Sequence, residues 1–291
     1  MDSERRFTEH RVEREQGNVY ARDYAGRGPA FVLLHGFPDN LHIYDELIPY
    51  LLAAKRRVVS FDFLGYGASD KPARPRYSFK QQQADLEAVL DAFRLDKVIP
   101  VGHDAGGCAA INFTLDHPDR VEWLCLLNTF YSAAPTIHLP ELIELFATAS
   151  LKSLTDAILE SPEQLEFILR FQQKKFLKTL PQGQIAAFES ILAPIINNNF
   201  NFGRKGGSGP AFAQMAAQVF EEVTRNTARL PELEALDVFT KLIWGDTDVD
   251  LNTGVARDLQ SHFMNASLLE LSAGHWPQID LPGEVARAML S

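Results

Sequence analysis

The chain has 291 residues, 46% of them hydrophobic and 23% charged, with a formal net charge of -10. That length suits one catalytic domain with a sizeable insertion and a full core. The acidic balance argues against nucleic acid as a partner, because phosphates require a basic footprint, and no stretch approaches the length of a membrane-crossing helix.

Residues 1–12 are charged and lack an apolar run, so a secretory leader is not expected and the expected setting is cytoplasmic. The two cysteines, Cys108 and Cys125, are read as reduced thiols in the core rather than as a disulfide. Residues 30–34 form a continuous apolar run, expected as a buried strand, that ends at His35-Gly36-Phe37-Pro38. A second strand is expected over 57–62, a helix over 79–93 and a strand over 97–101. A helix over 106–117 is stopped by Pro118, and 121–127 reads as one more central strand. From Phe130 to about Leu236 only helical patterns occur, at 139–149, 163–180, 184–196 and 210–228. They are interrupted by an asparagine-rich piece at 197–201 and a glycine-rich loop at 203–209. Strand patterns resume at 240–245 and 267–271. Strands alternating with helices predict an α/β fold with a mostly parallel central sheet flanked by helices. The expected division is a core of residues 1–129 with 237–291, carrying a helical cap at 130–236 over the strand ends where ligands bind.

The run Val101-Gly102-His103-Asp104-Ala105-Gly106-Gly107 has the glycine spacing of a sharp strand-to-helix turn that lifts one side chain above the sheet. Here that side chain is an aspartate. The alternative for Asp104 is a helix cap, but a carboxylate at such a turn can displace a leaving group from saturated carbon, giving an ester that water then cuts. Acids follow the strand at 240–245, in Trp244-Gly245-Asp246-Thr247-Asp248, and a histidine follows the last strand, in Ala273-Gly274-His275-Trp276-Pro277. The order nucleophile, acid, histidine is that of a known triad arrangement. Asp104 is the expected nucleophile and His275 the base that activates water. Asp248 is the expected acid orienting His275, with Asp246 and Asp250 close by as alternatives. Backbone amides of Phe37 and Ala105 are the expected oxyanion donors. His35 is expected to brace the loop before Phe37, and His103, Tyr66 and Tyr77 to serve packing.

With these motifs the chain resembles the α/β-hydrolase superfamily over residues 30–290, in the branch holding epoxide hydrolases and haloalkane or haloacid dehalogenases. His35-Gly36-Phe37-Pro38 looks like the family's oxyanion loop, Gly65-Tyr66-Gly67-Ala68-Ser69-Asp70-Lys71-Pro72 resembles its characteristic turn, and Gly102 to Gly106 its nucleophile motif. Asn128, where some dehalogenases carry the acid, is not ionisable, which supports Asp248.

The resemblance implies a helper for the leaving group. Haloalkane dehalogenases use side-chain N–H donors where this chain has Ala105 and Phe37, and the region 130–236 has no tryptophan. Fluoroacetate dehalogenases place arginines where this chain has Ala105 and Cys108. Epoxide hydrolases use two cap tyrosines, and Tyr131 is the single tyrosine in the cap region; His138, Asn197, Asn198, Asn199, Asn201 or a water would have to supply the other donor. Tyr131, His138, Trp276 and Phe37 are the candidate substrate contacts. The cap's apolar residues, including Phe146, Phe167, Phe171, Phe188, Phe200 and Phe202, suggest a hydrophobic chamber, with most of them expected to pack the cap itself. The leading expectation is epoxide hydrolysis to a diol, without metal or organic cofactor, on a small hydrophobic substrate. Dehalogenation follows, then ester or lactone hydrolysis, then a ligand receptor lacking turnover. Oligomeric state is left open.

Overall fold

The computed structural model describes residues 7–72, 76–201 and 206–291. Phe202, the loop residues 203–205 and positions 1–6 of the N-terminal segment lie outside the described residues.

One eight-stranded sheet organises the chain: β1 (Thr8–Arg14), β2 (Gly17–Tyr24), β3 (Arg27–Leu34), β4 (Arg56–Phe61), β5 (Val98–Asp104), β6 (Leu124–Thr129), β7 (Thr240–Gly245) and β8 (Ala266–Leu271). Their spatial order is β1-β2-β4-β3-β5-β6-β7-β8. β2 runs antiparallel to β1 and β4, and every other pairing is parallel. The parallel strands are apolar without alternation because helices cover both faces; Phe31, Val32, Leu33 and Leu34 of β3 are wholly buried. The helix Ala105–Asp116 packs beside β5, β6 and β3, and the helix Phe79–Ala92 packs against it and against β1 and β2.

Two parts of the sheet depart from the sequence reading. The β1–β2 hairpin was not anticipated, because β1 is a charged edge strand with Val12 as its one buried residue, too little to mark a period. β6 starts at Leu124 rather than near position 121, since Val121 makes only an isolated bridge to Val98.

Between β6 and β7 the described residues form no strand, as expected. The helices are Glu141–Ala147, Lys152–Glu160, Pro162–Thr179, Gln182–Ala187, Ala193–Phe200, Gly209–Ala217, Val219–Thr227 and Leu230–Glu234, with a π turn at Phe188–Leu192. The helix Lys152–Glu160 was missed. The asparagine run, expected as loop, is helical through Phe200, and Asn201 ends that helix in the left-handed conformation at φ 49°. A tertiary bridge overrides the weak helix propensity of these asparagines. Asn199 donates to the carbonyls of Pro38 at 2.7 Å and Asp39 at 2.5 Å, and accepts from the Gly67 amide at 2.8 Å. The helical segment is thereby fastened to two loops at the carboxyl end of the sheet.

Candidate active site

β5 delivers Asp104 to a turn with φ 49° and ψ -128°, a conformation that costs an L-residue on the order of 1–3 kcal/mol. Its side chain makes no capping bond to the helix Ala105–Asp116, so the helix-cap alternative does not hold. Close packing fixes the turn. A Cβ on Gly107 would stand 2.0 Å from Thr129 Oγ1, and one on Gly36 would stand 2.4 Å from Asp104 Oδ2. The Phe37 amide donates to Asp104 Oδ2 at 3.1 Å, and the Ala105 amide lies close enough to lower the pKa of the carboxyl. Both expected oxyanion donors therefore meet at Asp104. Burial raises the Asp104 carboxyl above its ordinary range; the His275 charge and the two amides act against that rise.

Beyond β7 the chain turns back so that Asp248 Oδ2 accepts from His275 Nδ1 at 2.7 Å. The same oxygen accepts from Asn128 Nδ2 at 2.9 Å, while Oδ1 accepts from the amides of Asp250 at 3.0 Å and Leu251 at 3.1 Å. Burial would raise Asp248, but the His275 charge and these bonds outweigh it and hold the carboxyl below its usual range. For His275 burial likewise opposes charge; Asp248, then Asp104 and Asp39, overcome it and push the imidazole up to about 9. Asp246 is exposed, and Asp250 lines the cavity and makes no hydrogen bond to the imidazole among the described residues. The geometry pairs His275 with Asp248, not with either neighbour.

His35 is fully buried and bridges Gly36 O at 2.6 Å and the Phe63 amide at 3.1 Å, which braces the loop as expected. The Phe63 amide must donate to Nε2, so Nδ1 carries the proton, and burial lowers the imidazole pKa. His103 packs beside the elbow, its ring 4.8 Å from that of His275 and its Nε2 2.8 Å from the His275 carbonyl.

A cavity of about 240 Å³ opens between the sheet end and the helices. Asp104 and His275 reach it from below, and Leu169, Phe176 and Val219 wall it from above. Phe37, His138 and Trp276, each a candidate substrate contact, line it; His138 and Phe220 are exposed at its rim. Trp276 presents only ring surface, because its indole N–H donates to Asp39 Oδ2 at 3.0 Å. Tyr131 requires correction as a substrate contact. It is buried, its hydroxyl donates to Asn112 Oδ1 at 2.9 Å, and it does not line the cavity. The asparagines do not line it either: Asn199 is spent on the bridge to Pro38 and Asp39, and Asn197 accepts from Gln173. Among the expected chamber phenylalanines, Phe146, Phe188 and Phe200 pack in the core and Phe167 and Phe171 face solvent. The rings that do line the cavity belong to Phe37, Phe130, Phe176 and Phe220, with Trp276.

Sequence reasoning missed several residues. Gln172, Gln173 and Ser132 line the cavity without any motif to mark them. Asp39 lies under Trp276, pushed up to about 7 chiefly by burial; its place directly after the His35–Pro38 motif was the available signal. Asn128 was noted only for lacking charge, yet it clamps Asp248 to the Gly245 amide. Among the described residues no group of three or more His, Cys, Asp or Glu side chains is placed to hold a metal ion, and no helix is long and apolar enough to cross a membrane.

The chain is similar to several known hydrolases. A fluoroacetate dehalogenase from Burkholderia sp is 41% identical over 107 residues, which is 35% of this chain and 35% of that protein. Epoxide hydrolase B of Mycobacterium tuberculosis is 36% identical over 115 residues, covering 39% of this chain and 32% of the relative. The chain thus spans about a third of the length of these two relatives. The bifunctional epoxide hydrolase 2 of Sus scrofa matches at 25% identity across 91% of this chain and 51% of its own length. Among solved structures, the epoxide hydrolase CorEH superposes with a TM-score of 0.74 at 22% identity, covering 98% of both chains, which bears on the fold alone. The alpha/beta hydrolase fold family model matches residues 29–282, and the chain belongs to that family.

Proposed function

We propose that the protein hydrolyses a small, largely apolar epoxide to a diol through a covalent ester on Asp104, with residues 130–236 acting as a cap domain over a core of 1–129 and 237–291. One observation carries the reading. A carboxylate occupies the elbow, facing an apolar cavity that His275, paired with Asp248, also lines. A carboxylate oxygen would bond the epoxide carbon as the ring C–O bond breaks, and the ring oxygen takes up a proton from the cavity side. The side-chain donors lining the cavity are Ser132, His138, Gln172 and Gln173, the last already engaged with Asn197. His275 then removes a proton from water, whose hydroxide attacks the ester carbonyl. Because the Phe37 amide already bonds Asp104 Oδ2, this oxygen becomes the carbonyl oxygen and then the oxyanion, leaving Oδ1 to attack carbon. Collapse expels the alkoxide and leaves Asp104 as a carboxylic acid, whose proton returns to the group that protonated the ring oxygen, restoring the carboxylate. His275 returns its proton to the departing alkoxide.

Dehalogenation is the second reading, favoured by the 41% identity to the fluoroacetate dehalogenase. The same attack would expel halide. Against it, the indole N–H of Trp276 is committed to Asp39, and no lysine or arginine lines the cavity among the described residues. Incubation with neutral epoxides, haloalkanes and haloacids, following diol and halide, separates the two. Diol from at least one epoxide is expected; halide release with no diol from any epoxide would reverse the assignment.

A further inference from the structure

We infer that Asp250 sets the charge preference of the cavity, rejecting anionic ligands and admitting neutral and cationic ones. This rests on the reading of the cavity as the substrate site and names the substrate class within it. Asp250 lines the cavity half-buried, and its backbone is pinned on both sides: its amide donates to Asp248 Oδ1 at 3.0 Å and its carbonyl accepts the His138 amide at 3.0 Å. No hydrogen bond to its own carboxylate occurs among the described residues, so that group is free to face a ligand.

Among the described residues no lysine or arginine lines the cavity to pair with an anion. Asp104 is the second carboxylate in the wall, Asp248 and Asp39 lie just behind it, and the one strongly raised imidazole, His275, is already paired with Asp248. The nearest lysine acting on Asp250, Lys175 of the helix Pro162–Thr179, is bonded to Glu141. Burial, then the Asp248 charge, pushes the Asp250 carboxyl up to about 6, so it remains ionised at pH 7.5. An anion entering this apolar space loses hydration and meets an excess of carboxylates, with His275, already paired with Asp248, as the one strongly raised cation. A neutral ligand avoids both costs, and an ammonium gains a partner. Haloacids are therefore poor ligands, whereas neutral or amine-bearing epoxides are suitable ones.

The test uses three ligands on one phenylpropyl skeleton, a carboxamide, a sulfonate and a primary ammonium, titrated at pH 7.5 against tryptophan fluorescence, since Trp276 lines the cavity. The wild type is expected to bind the carboxamide at least about tenfold tighter than the sulfonate. In Asp250→Asn, and independently in Asp250→Ser, that ratio should fall to about threefold or less and the ammonium should lose its advantage. Sulfonate binding as tight as carboxamide binding, an unchanged ratio in both variants, or no binding of any ligand overturns the inference. Turnover of a neutral epoxide is measured on the same preparations. Its absence would sink the hydrolase reading while the binding order still judges Asp250.

Discussion

Nδ1 of His275 lies 2.7 Å from Oδ2 of Asp248, an oxygen that Asn128 also grips at 2.9 Å. The acid is thus fixed before it orients the imidazole, and the proton on Nδ1 leaves Nε2 free to take one from water. Asp248→Asn should let the ring adopt the wrong tautomer, and kcat is expected to fall roughly 10³–10⁴-fold. Asp246→Asn, altering an exposed side chain, should leave kcat within about twofold. Steady-state rates on any accepted substrate check both.

How much of this was legible beforehand follows from what each residue depends on. That Asp104, His275 and Asp248 come together was readable because their positions are set by the ends of strands, and apolar runs mark those ends in the sequence. Tyr131 misled because its position in the chain is at the cavity's edge, while a side-chain torsion directs its hydroxyl to Asn112. Asn199 was offered as a candidate donor to the leaving group because its real partners, Pro38, Asp39 and Gly67, lie more than a hundred residues away. Asp250 was weighed only as a substitute acid; sequence spacing placed it near His275 but could not say that it faces the cavity.

His275→Gln removes the base without touching the attacking carboxylate. The first half-reaction should proceed and the second stall, so the Asp104 peptide is expected to carry the mass of one substrate after digestion. Multiple turnovers in that variant would show that another group activates water.

The pH behaviour has two parts. In the free protein Asp104 helps hold His275 at about 9; once Asp104 is an ester that charge is gone, and the imidazole pKa must fall. Ester hydrolysis followed by rapid quench should therefore accelerate with pH through a value below about 9. Stability moves the other way. His275 is raised from 6.5 to about 9 on folding, so its contribution is fully present below about 6.5 and lost as pH rises through about 9. The interval between those values corresponds to roughly 3 kcal/mol. The depressed Asp248 carboxyl contributes above about 3.8, and that part is lost as pH falls through its lower folded value. Urea melts of wild type and His275→Gln should differ most near pH 6 and converge by about pH 9.5.

Asn199 joins the helix Ala193–Phe200 to the loop whose Phe37 amide bonds Asp104. Asn199→Leu keeps similar bulk but strands the carbonyls of Pro38 and Asp39 and the Gly67 amide. Leaving such buried groups unpaired is expected to cost about 3 kcal/mol. Displacing the loop should also lower kcat, whereas loss of general stability alone would leave kcat unchanged at low temperature. A urea midpoint and a kcat measured well below the melting range distinguish these.

Gly36 is the glycine packed directly on the Asp104 carboxylate. A methyl group there would stand 2.4 Å from Asp104 Oδ2 and 2.5 Å from its Cβ, so either the elbow or the loop must move. Moving the loop takes the Phe37 amide from the oxygen it serves, and removing one such donor costs about 10²–10³ in kcat. Gly36→Ala is therefore expected to lose about a hundredfold or more in kcat. Gly183 is the contrast, lying exposed in the helix Gln182–Ala187 with nothing within 4 Å of a built Cβ. There alanine lowers unfolded-chain entropy without strain, and Gly183→Ala should add about 0.5–1 kcal/mol while leaving kcat unchanged. Equal kcat in the two variants would mean that contact between Gly36 and the carboxylate does not govern the reaction.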